Sequence, residues 1–309
     1  MSNHQNTGSR NILVLGAGEL GMAVMRALSA QAEGAKVSVL LRASAIETQD
    51  PSRLAQLSEL QTRGIKTLAG DIAKDTVSEL AALFAAFDTV ISCVGFAAGP
   101  GTQTKLTQAA IESGVERHFP WQFGVDYDVI GPGSAQDSFD EQLHVRNLLR
   151  AQQRIEWVIV STGMFTSFLF ETSFGVVDLA NNTVHTLGDW DTQLTITTPE
   201  DIGLLTAMIV FKQPRFVNRI VYVAGDTITY GQLADVVESA LGREISRVPW
   251  SVPMLRAELA KRPDDQLSKY RLVFAEGRGV AWDKAGTFNA EEDIDVVTLE
   301  RWVAGHLER

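Results

Sequence analysis

The chain has 309 residues, 45% hydrophobic and 21% charged, and a formal net charge of 27 − 38 = −11. That length holds one large α/β unit or two intimate domains with a sizeable core, and the acidity argues against nucleic acid as a partner, so any bound phosphate must be held locally. A single cysteine, Cys93, excludes an intrachain disulfide, and no apolar run reaches the ~20 residues a membrane helix needs.

The first ten residues are polar and read as a flexible tail, not a signal peptide, so a cytoplasmic location is expected. The first half then alternates β-rich runs with helical stretches. Ile12–Leu15, Val37–Leu41, Ile65–Leu68, Thr89–Val94 and Arg117–Phe119 read as strands, and the first two are mostly continuous apolar runs, as strands covered on both faces require. Helices are expected at Glu19–Gln31, Thr76–Ala86 and Thr102–Ser113, the last ended by Gly114. Strand–helix–strand repetition at this spacing implies right-handed crossovers and an α/β, Rossmann-type, doubly wound parallel sheet. Ser138-Phe139-Asp140-Glu141 reads as a capping box opening a helix to about Gln152, and Trp157–Ser161 as a sixth strand. Residues 163–192, Phe-rich and containing Asn181-Asn182 and Gly188, read as an irregular excursion. Thr198-Pro199-Glu200-Asp201 opens a further helix, Arg219–Ala224 is a strand, and Thr229 opens a helix stopped by Gly242. Residues 243–309 are charged and mostly helical.

Gly16-Ala17-Gly18-Glu19-Leu20-Gly21 is G-x-G-x-x-G, placed after the first strand and opening the first helix. In that context Gly16 allows the tight turn, Gly18 lets backbone approach a pyrophosphate, and Gly21 lets helix and strand pack closely. The helix start adds N–H groups and a partial positive charge. A site for NAD usually has an acid after the second strand to bond the ribose 2′-hydroxyl. Here Arg42 stands there, with Ser44 beyond it. A guanidinium grips a 2′-phosphate with charge-assisted bonds, so the cofactor expected is NADPH/NADP+. Asp71, after the third strand, is placed for the adenine amino group or for capping its own turn. Val94, Gly95 and Phe96 lie at the carboxyl edge of the sheet, where ligands bind in this architecture. The five histidines show no paired ligand spacing, so no metal is expected. No G-x-S-x-G occurs, so hydrolase chemistry has no support.

These residues resemble the NmrA-like and isoflavone-reductase-like branch of the atypical short-chain dehydrogenases. The resemblance covers about residues 11–240. It rests on Gly16–Gly21, Arg42, Gly70-Asp71, the helix with Gln103 and Lys105, the stretch Gly114-Val115-Glu116-Arg117-His118-Phe119-Pro120-Trp121-Gln122-Phe123-Gly124, the strand leading into Thr162-Gly163-Met164-Phe165, and Thr198–Gly203. It implies an NADP-binding Rossmann domain from 11–162 and 193–225, and a smaller, discontinuous substrate domain from 163–192 and 226–309. It also implies hydride transfer from NADPH to small aromatic substrates, although other members are non-catalytic, redox-sensing regulators that act through protein partners.

The chain departs from the reductases where they carry a lysine, because aligning Val145-Arg146 puts Gln142 there. Glutamine donates hydrogen bonds but has no proton to give near neutral pH. The Tyr-x-x-x-Lys pair is absent, since Gly131 lies four residues after Tyr127, and Trp121 and Gln122 replace the usual Ser and Glu. Three groups therefore remain for catalysis: Gln142 to hold a developing oxyanion, and His144 or Tyr127 to supply a proton. His144 sits ~200° round the helix from Gln142. Gln122 is expected beside the cofactor, and Trp121, Met164, Phe165 and Phe168 as walls for an aromatic ligand. The reading is an NADPH-dependent reductase of a small aromatic carbonyl, enone or quinone-like compound, working as a monomer or homodimer; the alternative is a non-catalytic NADP(H)-responsive regulator.

Overall fold

The computed structural model describes residues 11–31 and 34–307, so the expected N-terminal tail lies outside the described residues. The chain forms two compact units, one from residues 1–122, 144–159 and 202–220, the other from 123–143, 160–201 and 221–309. These joints differ from the divisions expected from sequence. In particular, residues 123–143 pack with the second unit.

In chain order the elements are β1 (Asn11–Leu15), α1 (Glu19–Gln31), β2 (Lys36–Leu41), α2 (Ala43–Ile46), α3 (Pro51–Thr62), β3 (Lys66–Ala69), α4 (Val77–Phe84), β4 (Thr89–Ser92), α5 (Thr102–Ser113), β5 (Arg117–Phe119), α6 (Tyr127–Ile130), α7 (Ser138–Arg150), β6 (Glu156–Ser161) and β7 (Met164–Phe165). There follow β8 (Val177–Asp178), β9 (Thr183–Leu187), β10 (Gln193–Thr197), α8 (Pro199–Phe211), β11 (Arg219–Tyr222), β12 (Asp226–Thr229), α9 (Tyr230–Leu241), β13 (Ser246–Trp250), α10 (Val252–Lys261), α11 (Gln266–Glu276), α12 (Phe288–Glu291) and α13 (Leu299–His306).

The seven-stranded sheet has the order β11-β6-β5-β4-β1-β2-β3. Neighbours from β6 through to β3 pair in parallel. The order reverses between β1 and β4, which is where the doubly wound topology leaves a crevice at the carboxyl ends of the strands. Side chains alternate across a strand. Leu13 and Leu15 pack on one face with Leu80 and Phe84 of α4, Leu106 and Ala109 of α5, and Val145 and Leu149 of α7. Ile12 and Val14 therefore point to the opposite face. Each fully buried Leu or Phe contributes roughly 1.5–3 kcal/mol to holding these layers together. On α8, a Cβ on Gly203 would lie 2.4 Å from the Ala23 carbonyl carbon of α1. The glycine of the Thr198–Gly203 motif is thus the contact that lets two helices touch backbone to backbone.

The second unit holds two small sheets, β12-β10-β7 and β13-β9-β8. The stretch expected to be irregular therefore carries strands. They escape notice because β7 and β8 have two residues each, and because β9 pairs in parallel with β13, far along the chain, in the register Thr183↔Ser246. The expected capping box at Ser138 also needs correcting. Ser138 is the first helical residue of α7, and its hydroxyl donates to Gln136 Oε1 at 2.9 Å. At Thr198 and Thr229 the caps form as expected, with Thr198 Oγ1 accepting from Asp201 N and Thr229 Oγ1 from Gln232 N.

Candidate active site

The glycine turn leaves β1 at Gly16, whose φ of +87° belongs to the left-handed region open to glycine. A Cβ on Gly21 would lie 2.2 Å from the Gly16 carbonyl oxygen, so α1 starts in contact with the turn that precedes it. Gly18 is the opposite case, because a Cβ there would meet nothing within 4 Å. Ala17 and Leu20 are buried beneath the turn, whereas Gly18 and Glu19 are exposed on its open side. The first helical bond, from Met22 N to Gly18 O, is 2.9 Å long. The N–H groups of the first turn precede that ladder and so lie at the open side, carrying the positive end of the helix dipole.

Arg42 follows β2 with its side chain 65% exposed, and its Nε lies 3.9 Å from Asp71 Oδ1. Lys74 Nζ lies 3.9 Å from Asp71 Oδ2. Asp71 also accepts from Ala73 N at 3.0 Å, so it caps its own turn while facing both cations. Ser44 is exposed two residues beyond Arg42. At the end of β4, Gln103 Nε2 donates to Val94 O at 2.7 Å and fixes the start of the Val94–Phe96 segment. A Cβ on Gly95 would lie 3.1 Å from the Trp121 indole, which meets Phe96 edge-on at 4.6 Å. Gln122 is fully buried, and its Oε1 accepts from Nε of the buried Arg146 at 2.9 Å. All of these residues belong to the first unit.

The central strands of the sheet beneath, β1 and β4, are buried. Burial pushes the Cys93 thiol far above its ordinary value and makes it a poor nucleophile. Burial also lowers His118, on β5, to about 4 against a smaller opposing effect from the Val90 backbone. Among the described residues no group of His, Cys, Asp and Glu is placed to hold a metal ion, and no helix is long and apolar enough to cross a membrane.

In the second unit, Tyr127 is buried and meets Phe139 edge-on at 5.0 Å. Phe139 meets Tyr270 at 5.6 Å, Tyr270 meets Phe168 at 6.2 Å, and Phe168 lies against Phe174 at 4.5 Å. Phe139 and Gln142 are three apart on α7, hence on one helical face, and both are buried. Two candidates read from the sequence, Tyr127 and Phe168, therefore join one aromatic row that starts on Gln142's side of the helix. Phe139, Tyr270 and Phe174 complete the row and were not singled out by sequence. Burial, with a contribution from Tyr127, pushes the Tyr270 phenol well above its ordinary value. Met164 is buried in β7 opposite Ile196, and Phe165 is half-buried. His144 is exposed, on the side of α7 away from Gln142.

The NmrA-like family model matches residues 8–289. An NmrA-like family domain-containing oxidoreductase of Gibberella moniliformis (strain M3125 / FGSC 7600) is 48% identical over 299 residues, which cover 96% of this chain and 97% of the relative. Phenylcoumaran benzylic ether reductase 1 of Arabidopsis thaliana is 28% identical over 294 residues, 92% of each chain. Among solved structures, the binary complex of leucoanthocyanidin reductase with NADPH from Vitis vinifera matches with a TM-score of 0.77 at 21% identity, over 96% of this chain and 98% of its own. That last likeness is one of fold. The chain belongs to the NmrA-like family.

Proposed function

We propose that this chain is an NADPH-dependent reductase of a small aromatic carbonyl, enone or quinone-like compound. The observation that carries the proposal is the contrast within the glycine turn: closed at Gly21, open at Gly18, with the exposed Arg42 at the end of the neighbouring strand. The open side fits a pyrophosphate, which needs backbone N–H groups and no side chain in the way. Gly16 through Gly21 would hold it, Arg42 and Ser44 the 2′-phosphate, Asp71 the adenosine end, and Val94, Gly95, Phe96 and Gln122 the nicotinamide end. The reading draws support from the names of its relatives, an oxidoreductase and a phenylcoumaran benzylic ether reductase, and from the NADPH in the leucoanthocyanidin reductase complex.

Bound NADPH supplies a hydride from its reduced nicotinamide. The Gln142 amide N–H is the group assigned to the substrate oxygen, where it stabilises developing negative charge without transferring a proton. Trp121, Met164, Phe165 and Phe168 are assigned to the walls. A quinone-like acceptor leaves as a stable anion and takes its proton from water. An acceptor without that option needs an acid, and buried Tyr127 is better placed for the role than exposed His144.

Titration of the protein with NADPH and NADH, followed by NADPH consumption against a panel of such compounds, tests the reading. NADPH should bind tighter than NADH, and Arg42→Ala should weaken NADPH about 10- to 100-fold, the worth of a charge-assisted phosphate contact, while leaving NADH unchanged. Equal binding of the two dinucleotides would remove Arg42 from the site. Tight NADPH binding without turnover of any compound would move the chain to the regulator reading, which the glutamine at position 142 favours.

A further inference from the structure

We infer that Gln56 is a positioning residue for the dinucleotide, aiming the Gly18 N–H into the open side of the glycine turn, with Arg53 holding Gln56 in place. The inference rests on the cofactor reading given above. Gln56 lies on α3, outside the G-x-G-x-x-G segment. Its Nε2 donates to the carbonyl oxygen of Ala17 at 2.6 Å. The peptide joining Ala17 to Gly18 is trans, since the cis bond among the described residues is Gln213–Pro214. In a planar trans peptide the C=O and N–H point in opposite directions. Pinning the Ala17 carbonyl toward α3 therefore turns the Gly18 N–H away from α3, at an exposed residue whose added Cβ would meet nothing within 4 Å. Without that bond the peptide can rotate, and a rotated peptide would present a carbonyl oxygen to an anion.

The rest of α3 keeps this bond in place. Asp50 caps the helix by accepting from Arg53 N at 2.9 Å. Arg53 Nη1 donates to Gln56 Oε1 at 3.0 Å. That contact fixes which end of the Gln56 amide faces Ala17 and polarises its N–H. One turn on, Glu59 accepts two bonds from Arg26 of α1, at 2.7 and 2.9 Å. Gln56 and Glu59 are three apart, hence on one face of α3, the face turned to α1. The Arg26 guanidinium, helped by Arg63, holds the Glu59 carboxyl down to about 2, so the clasp stays ionised across ordinary pH.

The test is binding of NADPH and of 2′-AMP, which keeps the 2′-phosphate and lacks the pyrophosphate, to wild type, Gln56→Met, Gln56→Asn and Arg53→Ala. Gln56→Met removes the donor at similar size, and Gln56→Asn keeps an amide one methylene too short. Both should weaken NADPH about tenfold, the worth of one hydrogen bond to an anion, with 2′-AMP affinity and melting temperature unchanged. Arg53→Ala should give a smaller loss of the same kind. Wild-type NADPH affinity in Gln56→Met and Gln56→Asn would overturn the inference. So would an equal loss of 2′-AMP binding, because a merely structural role would weaken both ligands. If wild type binds neither NADPH nor NADH, the cofactor reading itself falls, an outcome distinct from a variant that binds as wild type does.

Discussion

The glycine turn of the first unit is built from backbone, and the aromatic row of the second from side chains. At the turn, the proposed fit to a pyrophosphate depends on which direction a peptide faces and on where a Cβ is missing, as at Gly18 and Gly21. The row is held by ring contacts, edge-on except for the tilted pair Phe168 and Phe174, contributed by Tyr127, Phe139, Phe168, Phe174 and Tyr270 from four separate stretches of chain. A backbone site is constrained in a few consecutive residues. A side-chain site tolerates many sequences as long as its volume is filled.

The sharpest break of the comparison comes from Phe139, which is buried between two tyrosines. Phe139→Ala should cost about 4 kcal/mol of stability through the cavity it leaves, while Phe139→Leu should cost far less, and chemical denaturation measures both. In the turn, small changes should instead have opposite consequences at neighbouring glycines. Gly21→Ala drives a Cβ into a carbonyl oxygen 2.2 Å away, so about 3 kcal/mol of stability should be lost. Gly18→Ala should leave the melting temperature unchanged and weaken NADPH by tenfold or more. A Gly18→Ala protein with native NADPH affinity would show that the open side is not the pyrophosphate site.

The sheet below the turn makes a prediction in pH. His118 titrates near 6.5 when unfolded and near 4 when folded. The unfolded chain therefore binds the extra proton first as pH falls. The stability conferred by the neutral, buried ring is complete above pH 6.5 and declines toward pH 4, by about 3 kcal/mol at most. Thermal melts between pH 7 and 4 should show that slope, and His118→Leu should flatten it. The smallest effects separate the two faces of α7. Gln142→Leu should lower kcat about 100-fold with NADPH affinity unchanged, the lower end of what loss of one oxyanion donor costs. His144→Ala should change neither, because its ring faces solvent.

The same contrast explains what could be read from the sequence. Helix α1 runs over Glu19–Gln31 and α5 over Thr102–Ser113, as their patterns imply, and β1 differs from its expected span by one residue. Those elements carry continuous apolar runs or local caps. The glycine turn was legible because its chemistry lies within six consecutive residues. Gln56 was not, since its bond to Ala17 spans a strand and two helices and no local rule selects one glutamine of α3 over another. Tyr270 was hidden likewise, joining the row through packing that only the folded second unit creates. Ser-x-x-Glu is a cap only when the serine stands outside the helix, and here Ser138 is the first helical residue and its hydroxyl donates to Gln136.

The sheet's outermost strand on one side, β11, comes late in the chain, after stretches that belong to the second unit. Proteins are made from the amino end, and domains tend to fold as they emerge. This sheet cannot complete its edge until Arg219–Tyr222 has left the ribosome, by which time much of the second unit is already waiting outside. A shortened gene ending after β6 would leave β6 as a bare border, open to pairing with other chains. The two halves of this molecule alternate along the chain, so no single cut separates them and each must wait for segments of the other to be made.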